Sequence, residues 1–198
     1  MCVSCEENPD VKPRSDAEQS LAAVTPLPAL GYERVEIREL DAQGQTHACE
    51  RPRPTFEHIY MQLAFQFARR STCTRLNVGT VITSTDYRKV LSVGYNGNAS
   101  GLPNTCDRRE PGNCGCLHSE ENAVINCDAP RFLEKHVFVT HLPCVMCAKR
   151  LINLGGVKKV FFARDYRSRD SLALFESLGI AVAQVSEDVE NEESSGRP

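Results

Sequence analysis

Tryptophan is absent from the 198 residues, methionine occurs three times, and aromatics make up only 7% of the chain. Basic residues are outnumbered as well: 23 Lys and Arg face 26 Asp and Glu, a net charge of -3. A chain without a basic stripe interleaved with aromatics lacks the groove and stacking platform that polynucleotide binding uses, so no polynucleotide partner is expected. Also missing is any apolar run near the ~20 residues that span a bilayer, so no membrane partner is expected. The opening MCVSCEENPD has neither the basic nor the apolar region of a secretory leader, which points to a cytoplasmic protein. No internal repeat is visible. Hydrophobic and charged contents of 41% and 25% are those of an ordinary soluble domain.

What the chain has in excess is cysteine. Ten residues, about 5% of the chain, fall below the ~8–10% of a disulfide scaffold. With no leader, metal ligands or catalytic thiols account for them better than disulfides. Charge is unevenly spread. The first twenty residues carry -3 and the last fourteen -4 against a total of -3, so residues 21–184 carry +4. The polar ends read as solvated tails. Arginine clusters occur at Arg108-Arg109 and at Arg164, Arg167 and Arg169. They are either scattered surface charges or, in one case, the partner of a small anion such as phosphate.

Period-two alternation over 34–40, followed by Asp41-Ala42-Gln43-Gly44, reads as a strand and turn of a hairpin or appended arm. From Thr55, a suitable N-cap, the pattern becomes helical, with Phe56, Ile59, Tyr60, Leu63 and Phe67 as its apolar stripe. Strands are expected at 78–83 and 89–95, then a Gly/Asn/Pro-rich loop to about 115. A helix over 119–127, a strand at 137–140 and a helix over 144–154 closed by Gly155-Gly156 follow. The remainder reads as a strand at 159–163, a helix over 170–178 and a strand at 180–184. A hairpin followed by alternating helices and strands implies an α/β domain of three layers, with a mixed five-stranded sheet between helices. The expected division is a flexible tail over 1–25, an extension over 26–54, a folded domain over 55–184 and an acidic tail over 185–198.

Two short motifs carry the chemistry. His118-Ser119-Glu120 stands 26 residues before Cys144 in Pro143-Cys144-Val145-Met146-Cys147. A catalytic zinc takes three protein ligands and keeps one position open, and His118, Cys144 and Cys147 make such a set. Cys144 and Cys147, at i and i+3 in a first helical turn, can face one ion, and the helix N-terminus favours their thiolates. Glu120 is free to carry the proton taken from water. The bland alternatives are a core histidine with a satisfied glutamate and a redox pair at Cys144/Cys147. The two halves together resemble the His-x-Glu and Pro-Cys-x-x-Cys signature of zinc-dependent nucleobase deaminases.

The stretch around them resembles the deoxycytidylate (dCMP) deaminase branch of the cytidine deaminase superfamily. The matching segments are Arg53-Pro54-Thr55 through Tyr60-Met61, Arg70-Ser71-Thr72-Cys73, Asn77-Val78-Gly79-Thr80-Val81-Ile82, Gly94-Tyr95-Asn96-Gly97, His118 through Ala123, Pro143 through Lys149, and Gly155 through Val160. The resemblance implies a cytidine-deaminase-like fold, zinc, a free nucleotide substrate and hydrolysis of dCMP to dUMP and ammonia. It further implies that Asn96 bonds the nucleotide, Asn122 lies near its sugar or phosphate, and Tyr166 covers the base. Asn96 also reads as a plain turn residue, and Tyr166 as a surface aromatic. Arg108 and Arg109 are the candidate phosphate partners. Members of this kind are commonly hexamers or other homo-oligomers, which implies a hexamer or dimer here. The chain departs from the pattern where Asn98-Ala99 replaces a usual proline and where Ser119 replaces the usual alanine between His and Glu.

Cys73, Cys106, Cys114 and Cys116 are not accounted for by that signature, and three of them lie in one loop before His118. Some phage-type members resemble this arrangement and bind a second, structural zinc through such cysteines. A closed zinc site is therefore expected at these four residues, with free buried thiols as the alternative. Cys127 is expected in the core. Other functions compatible with the motifs are deamination of another free cytosine or purine nucleotide, nucleoside or base, and a non-catalytic zinc-bearing scaffold. A purely structural site would have no need of Glu120.

Overall fold

The structure is a computed structural model that describes residues 25–26, 32–40, 45–108 and 114–185. The stretches 1–24, 41–44 and 186–198, expected as tails and a turn, lie outside the described residues, as does Arg109.

Elements follow in the order β1 (Thr25–Pro26), β2 (Tyr32–Leu40), β3 (Thr46–Pro54), α1 (Phe56–Ala68), β4 (Gly79–Ser84), β5 (Val90–Tyr95), α2 (Ser119–Ile125), β6 (Lys135–His141), α3 (Val145–Leu154), β7 (Val157–Arg164), α4 (Asp170–Ser177) and β8 (Ala181–Gln184). Strands β2 and β3 pair antiparallel along their whole length as a two-stranded sheet of their own. The main sheet runs β1-β8-β7-β6-β4-β5. Its β4–β5 and β4–β6 pairs are antiparallel, and β6–β7, β7–β8 and β1–β8 are parallel. The mixed sheet thus has the five strands expected, and the two-residue β1 adds a sixth at its edge.

Alternation along the strands builds two apolar layers. Ile82, Val137, Val139, Val160 and Phe162 turn to one face, where Ala123 of α2, Ala148 and Leu151 of α3 and Phe175 of α4 cover them. Val81, Phe138 and Phe161 turn to the other, against Met61 and Ala64 of α1. The result is three layers, α1 on one side and α2, α3 and α4 on the other. These fully buried side chains carry most of the burial free energy, about 1.5–3 kcal/mol for each large residue.

The stripe expected on α1 is corrected. Phe56 and Ile59 are 46% and 43% exposed, while Met61 and Ala64 are fully buried and Ala68 nearly so. The cause is the closeness of helix and sheet: a Cβ on Gly79 would strike the Ala64 carbonyl oxygen. Small residues must face the sheet, and the larger apolar ones rotate outward. Gly94 on β5 has the same function opposite α2, since a Cβ there would strike the Ser119 carbonyl oxygen. This contact fixes how deeply the start of α2 sits against the sheet. Cys127, expected in the core, is half-buried.

Candidate active site

The ends of α2 and α3 converge on one side of the sheet. His118 is the N-cap residue of α2 and Cys144 that of α3, where its sulfur accepts from the Cys147 amide N–H at 3.5 Å. Leu142, which leads into the Cys144 turn, is anchored by its amide donating to the Arg164 carbonyl at 2.8 Å. His118 Nδ1 lies 3.7 Å from Cys144 Sγ and 3.3 Å from Cys147 Sγ. One imidazole nitrogen and two sulfurs, all within 4.8 Å of one another, are the donors of a tetrahedral zinc site with its fourth position left open. The residues fit the ion. Without it, the Cys147 thiol donates to Cys144 and the imidazole adds its charge, which together hold Cys144 down to about 3. Cys147 is pushed up by that same hydrogen bond and by burial, and Cys144 pushes His118 up.

Glu120, 4% exposed, sits in the first turn of α2 beside this donor set. Burial pushes its carboxyl up, opposed by its own backbone N–H, the His118 charge and the Ser119 hydroxyl. His118, Glu120 and Cys144 line a cavity of about 410 Å³ whose wall also carries Asn96, Tyr166, Arg75 and Arg167. That volume lies within the ~300–1,000 Å³ of small-molecule sites.

Of the expected substrate contacts, Asn96 and Tyr166 are on this wall. Asn96 also organises the loop in front of β4, accepting from the Val78 amide at 2.8 Å and donating to the Leu76 carbonyl at 2.7 Å. One amide proton remains for a ligand. Burial pushes the Tyr166 hydroxyl up, and the Arg167 guanidinium lies 5.8 Å from its ring centroid. Asn122 is not on the wall; its amide donates to the Tyr95 carbonyl at 2.8 Å and ties α2 to β5. Arg108 is exposed and off the wall, with its backbone N–H donating to the Cys114 carbonyl at 3.2 Å. Among the described residues, the arginines on the wall are Arg75, two residues after Cys73, and Arg167 from the second cluster. Arg75 had no signal in the sequence beyond its charge.

Cys73, Cys106, Cys114 and Cys116 also come together. Cys73 Sγ lies 3.9 Å from Cys114 Sγ and 3.8 Å from Cys106 Sγ, with Cys116 Sγ 3.7 Å from Cys106 Sγ. All four sulfurs fall within 4.8 Å of one another. The loop that carries three of them is closed at its base by the Gly97–Leu117 pair of backbone hydrogen bonds, 3.1 and 2.8 Å. Asn98 knits it internally by donating to the Pro103 and Thr105 carbonyls and to Asp107. Cys73, Cys114 and Cys116 face the substrate cavity as well.

Comparison with known proteins places the chain. Residues 54–164 match the family model of the cytidine and deoxycytidylate deaminase zinc-binding region. The chain belongs to that family. ComE operon protein 2 of Bacillus subtilis (strain 168) is 32% identical over 146 residues, covering 67% of this chain and 72% of that protein. The deoxycytidylate deaminase of Mycobacterium phage D29 is 30% identical over 128 residues, covering 57% of this chain and 98% of the phage protein. A yeast deoxycytidylate deaminase (Saccharomyces cerevisiae) is 31% identical, but the match spans only 46% of its length. Among solved structures, the dCMP deaminase of cyanophage S-TIM5 in complex with dCMP and dUMP superposes with a TM-score of 0.59 at 31% identity, over 65% of this chain and 96% of the phage chain. The deaminase fold expected from the sequence is the fold observed.

Proposed function

We propose that this deaminase hydrolyses dCMP to dUMP and ammonia. The observation that carries the reading is one cavity lined by His118, Cys144, the buried Glu120 carboxyl and two arginines, with Cys147 completing the donor set behind its wall. His118, Cys144 and Cys147 would hold a zinc ion, which would supply the Lewis acidity that makes water a nucleophile near neutral pH. Glu120 takes the proton from that water and delivers protons to ring N3 and to the departing amine. Water and dCMP enter and dUMP and ammonia leave, so the protons balance. Tyr166 covers the base, the remaining Asn96 amide proton meets the sugar, and Arg75 and Arg167 face the phosphate. Arg108 serves the phosphate only if the loop turns it inward.

A second, structural zinc held by Cys73, Cys106, Cys114 and Cys116 belongs to the same proposal. Sulfurs at the ~2.3 Å zinc–thiolate distance in tetrahedral array lie about 3.8 Å apart; three of the six separations are 3.7–3.9 Å and all fall within 4.8 Å. We further read 55–184 as the deaminase domain, 26–54 as an extension, and 1–25 and 185–198 as tails. The protein is read as cytoplasmic and as a hexamer or dimer; no described helix is long and apolar enough to cross a membrane. The exposed Phe56 and Ile59 on α1 support self-association, which sedimentation of the full chain tests.

Ammonia release from the zinc-loaded protein is the deciding assay, run on dCMP, CMP, deoxycytidine, dCTP and adenosine. The expected result is fastest turnover of dCMP, with kcat about 10²–10⁴-fold lower in Glu120→Ala. A different preferred substrate keeps the proton chemistry and overturns the phosphate assignment. No turnover on any substrate would make the protein a zinc-bearing binding module.

A further inference from the structure

Between His118 and Glu120 lies a residue to which the chemistry above gives no role. Ser119 is fully buried, yet its side chain is polar. Its hydroxyl donates to Glu120 Oε2 at 2.9 Å. Its oxygen also lies 2.8 Å from the hydroxyl of Thr80, likewise fully buried, on β4. The Ser119 proton is committed to the carboxylate, so Thr80 must donate to Ser119. A one-way relay therefore runs from the sheet, through the first turn of α2, to one oxygen of Glu120. We propose that Ser119, held by Thr80, is a positioning residue that fixes the Glu120 carboxylate by occupying Oε2 and reserving Oε1 for proton transfer.

Three observations argue for more than a satisfied hydroxyl. Two fully buried hydroxyls in series are costly unless each partner is well placed, and here each is. The relay starts on the sheet, the most rigid layer, so it constrains the χ angles of Glu120 against a fixed frame. The missing Cβ of Gly94 lets the Ser119 backbone lie directly against β5, which leaves this side chain little freedom to choose another acceptor. A carboxylate that must pass protons in sequence to different atoms gains from having one oxygen already assigned.

The inference rests on Glu120 as the proton carrier, and two measurements keep it separable from that reading. The first is steady-state kinetics on dCMP with zinc-loaded protein. Ser119→Ala is expected to lower kcat roughly tenfold with KM changed less than about twofold, the loss of one hydrogen bond to a charged group. Thr80→Val should lower kcat in the same manner, and Thr80→Ser, which keeps the hydroxyl, should recover most of it. The second is infrared spectroscopy of the zinc-free protein, with the Glu120 carboxyl band identified as the difference from Glu120→Gln. That band should shift in Ser119→Ala and in Thr80→Val but not in Thr80→Ser, an effect that a filler of space would not produce. Wild-type kcat in Ser119→Ala, or an unmoved band, overturns the proposal. If the wild-type protein turns over nothing, the dCMP reading fails instead, and the infrared measurement still decides whether Ser119 fixes the carboxyl.

Discussion

A thiol in a crowded cluster takes its acidity from whichever neighbour donates to it. Thr74 donates its backbone N–H and its hydroxyl to Cys106, which brings that thiol down to about 7, while burial pushes Cys73 and Cys116 up. Thiolate is the reactive form, and its fraction rises as pH climbs through the pKa. In metal-free protein, alkylation of Cys106 should therefore reach half its maximal rate near pH 7, with Cys73 and Cys116 following only at higher pH. Peptide mass spectrometry after a timed iodoacetamide pulse reads this, and added zinc should protect all four residues. The arginines of the cavity make a second residue-scale prediction. Arg167→Ala should raise KM for dCMP about tenfold, the loss of a charged contact to phosphate, and leave KM for deoxycytidine unchanged. Equal effects on both substrates would remove the phosphate role. At this scale the zinc donors and Glu120 were legible because one ion dictates both residue type and spacing. Arg75 was not, and Arg167 was legible only as a member of one of two arginine clusters, because loop approach in three dimensions decides which guanidinium reaches the cavity.

Helix α2 is a rod whose height above the sheet is set at one glycine. Gly94→Ala places a Cβ against the Ser119 carbonyl and the Ala123 amide and must push the helix outward. The expected cost is about 1–3 kcal/mol of stability, together with weaker zinc binding, because His118 and Glu120 travel with the helix. Gly79→Ala is the control. It drives an equivalent clash into α1, which carries none of the donors, so stability should fall while zinc affinity holds. Thermal denaturation beside competitive zinc titration separates the two. Lys135 ties another pair of elements together. It is fully buried, and its ammonium donates to the carbonyls of Pro130, Leu133 and Gly155 at 2.7, 2.7 and 3.1 Å, pinning the turn after α3 to the entry of β6. Lys135→Met would strand three carbonyls and should cost about 2–4 kcal/mol. Element types and order followed from hydrophobic period and from the caps at Thr55 and Gly155-Gly156. The buried face of α1 did not follow, since period alone cannot say that Gly79 lets the helix approach so closely that alanines must face inward.

At the scale of the whole molecule, the two donor clusters share one wall. Cys73, Cys114 and Cys116 line the same cavity as His118, Glu120 and Cys144, so the second cluster borders the substrate site rather than lying apart from it. On the proposed two-zinc reading, each cluster should fail in its own way when its metal is lost. Removing the donors at His118 and Cys144 should abolish kcat. Opening the four-cysteine cluster should loosen the loop that carries three of its sulfurs, which raises KM for dCMP while part of kcat survives. A closed site that joins residue 73 to a loop some forty residues on also restricts the unfolded chain, as any crosslink does. Its loss should lower the melting temperature by about 5–10 °C, the effect of a few kcal/mol in a chain of this size. The discriminating variant is the Cys106→Ser/Cys116→Ser double mutant, examined by elemental analysis together with kinetics and melting. Wild-type protein should carry two zinc ions per chain. The double mutant should carry one, melt lower, and bind dCMP more weakly. One zinc in fully loaded wild-type protein, with a double mutant of unchanged melting temperature, would reduce the cluster to four packed thiols and leave the loop held by Asn98 and the Gly97–Leu117 pair alone.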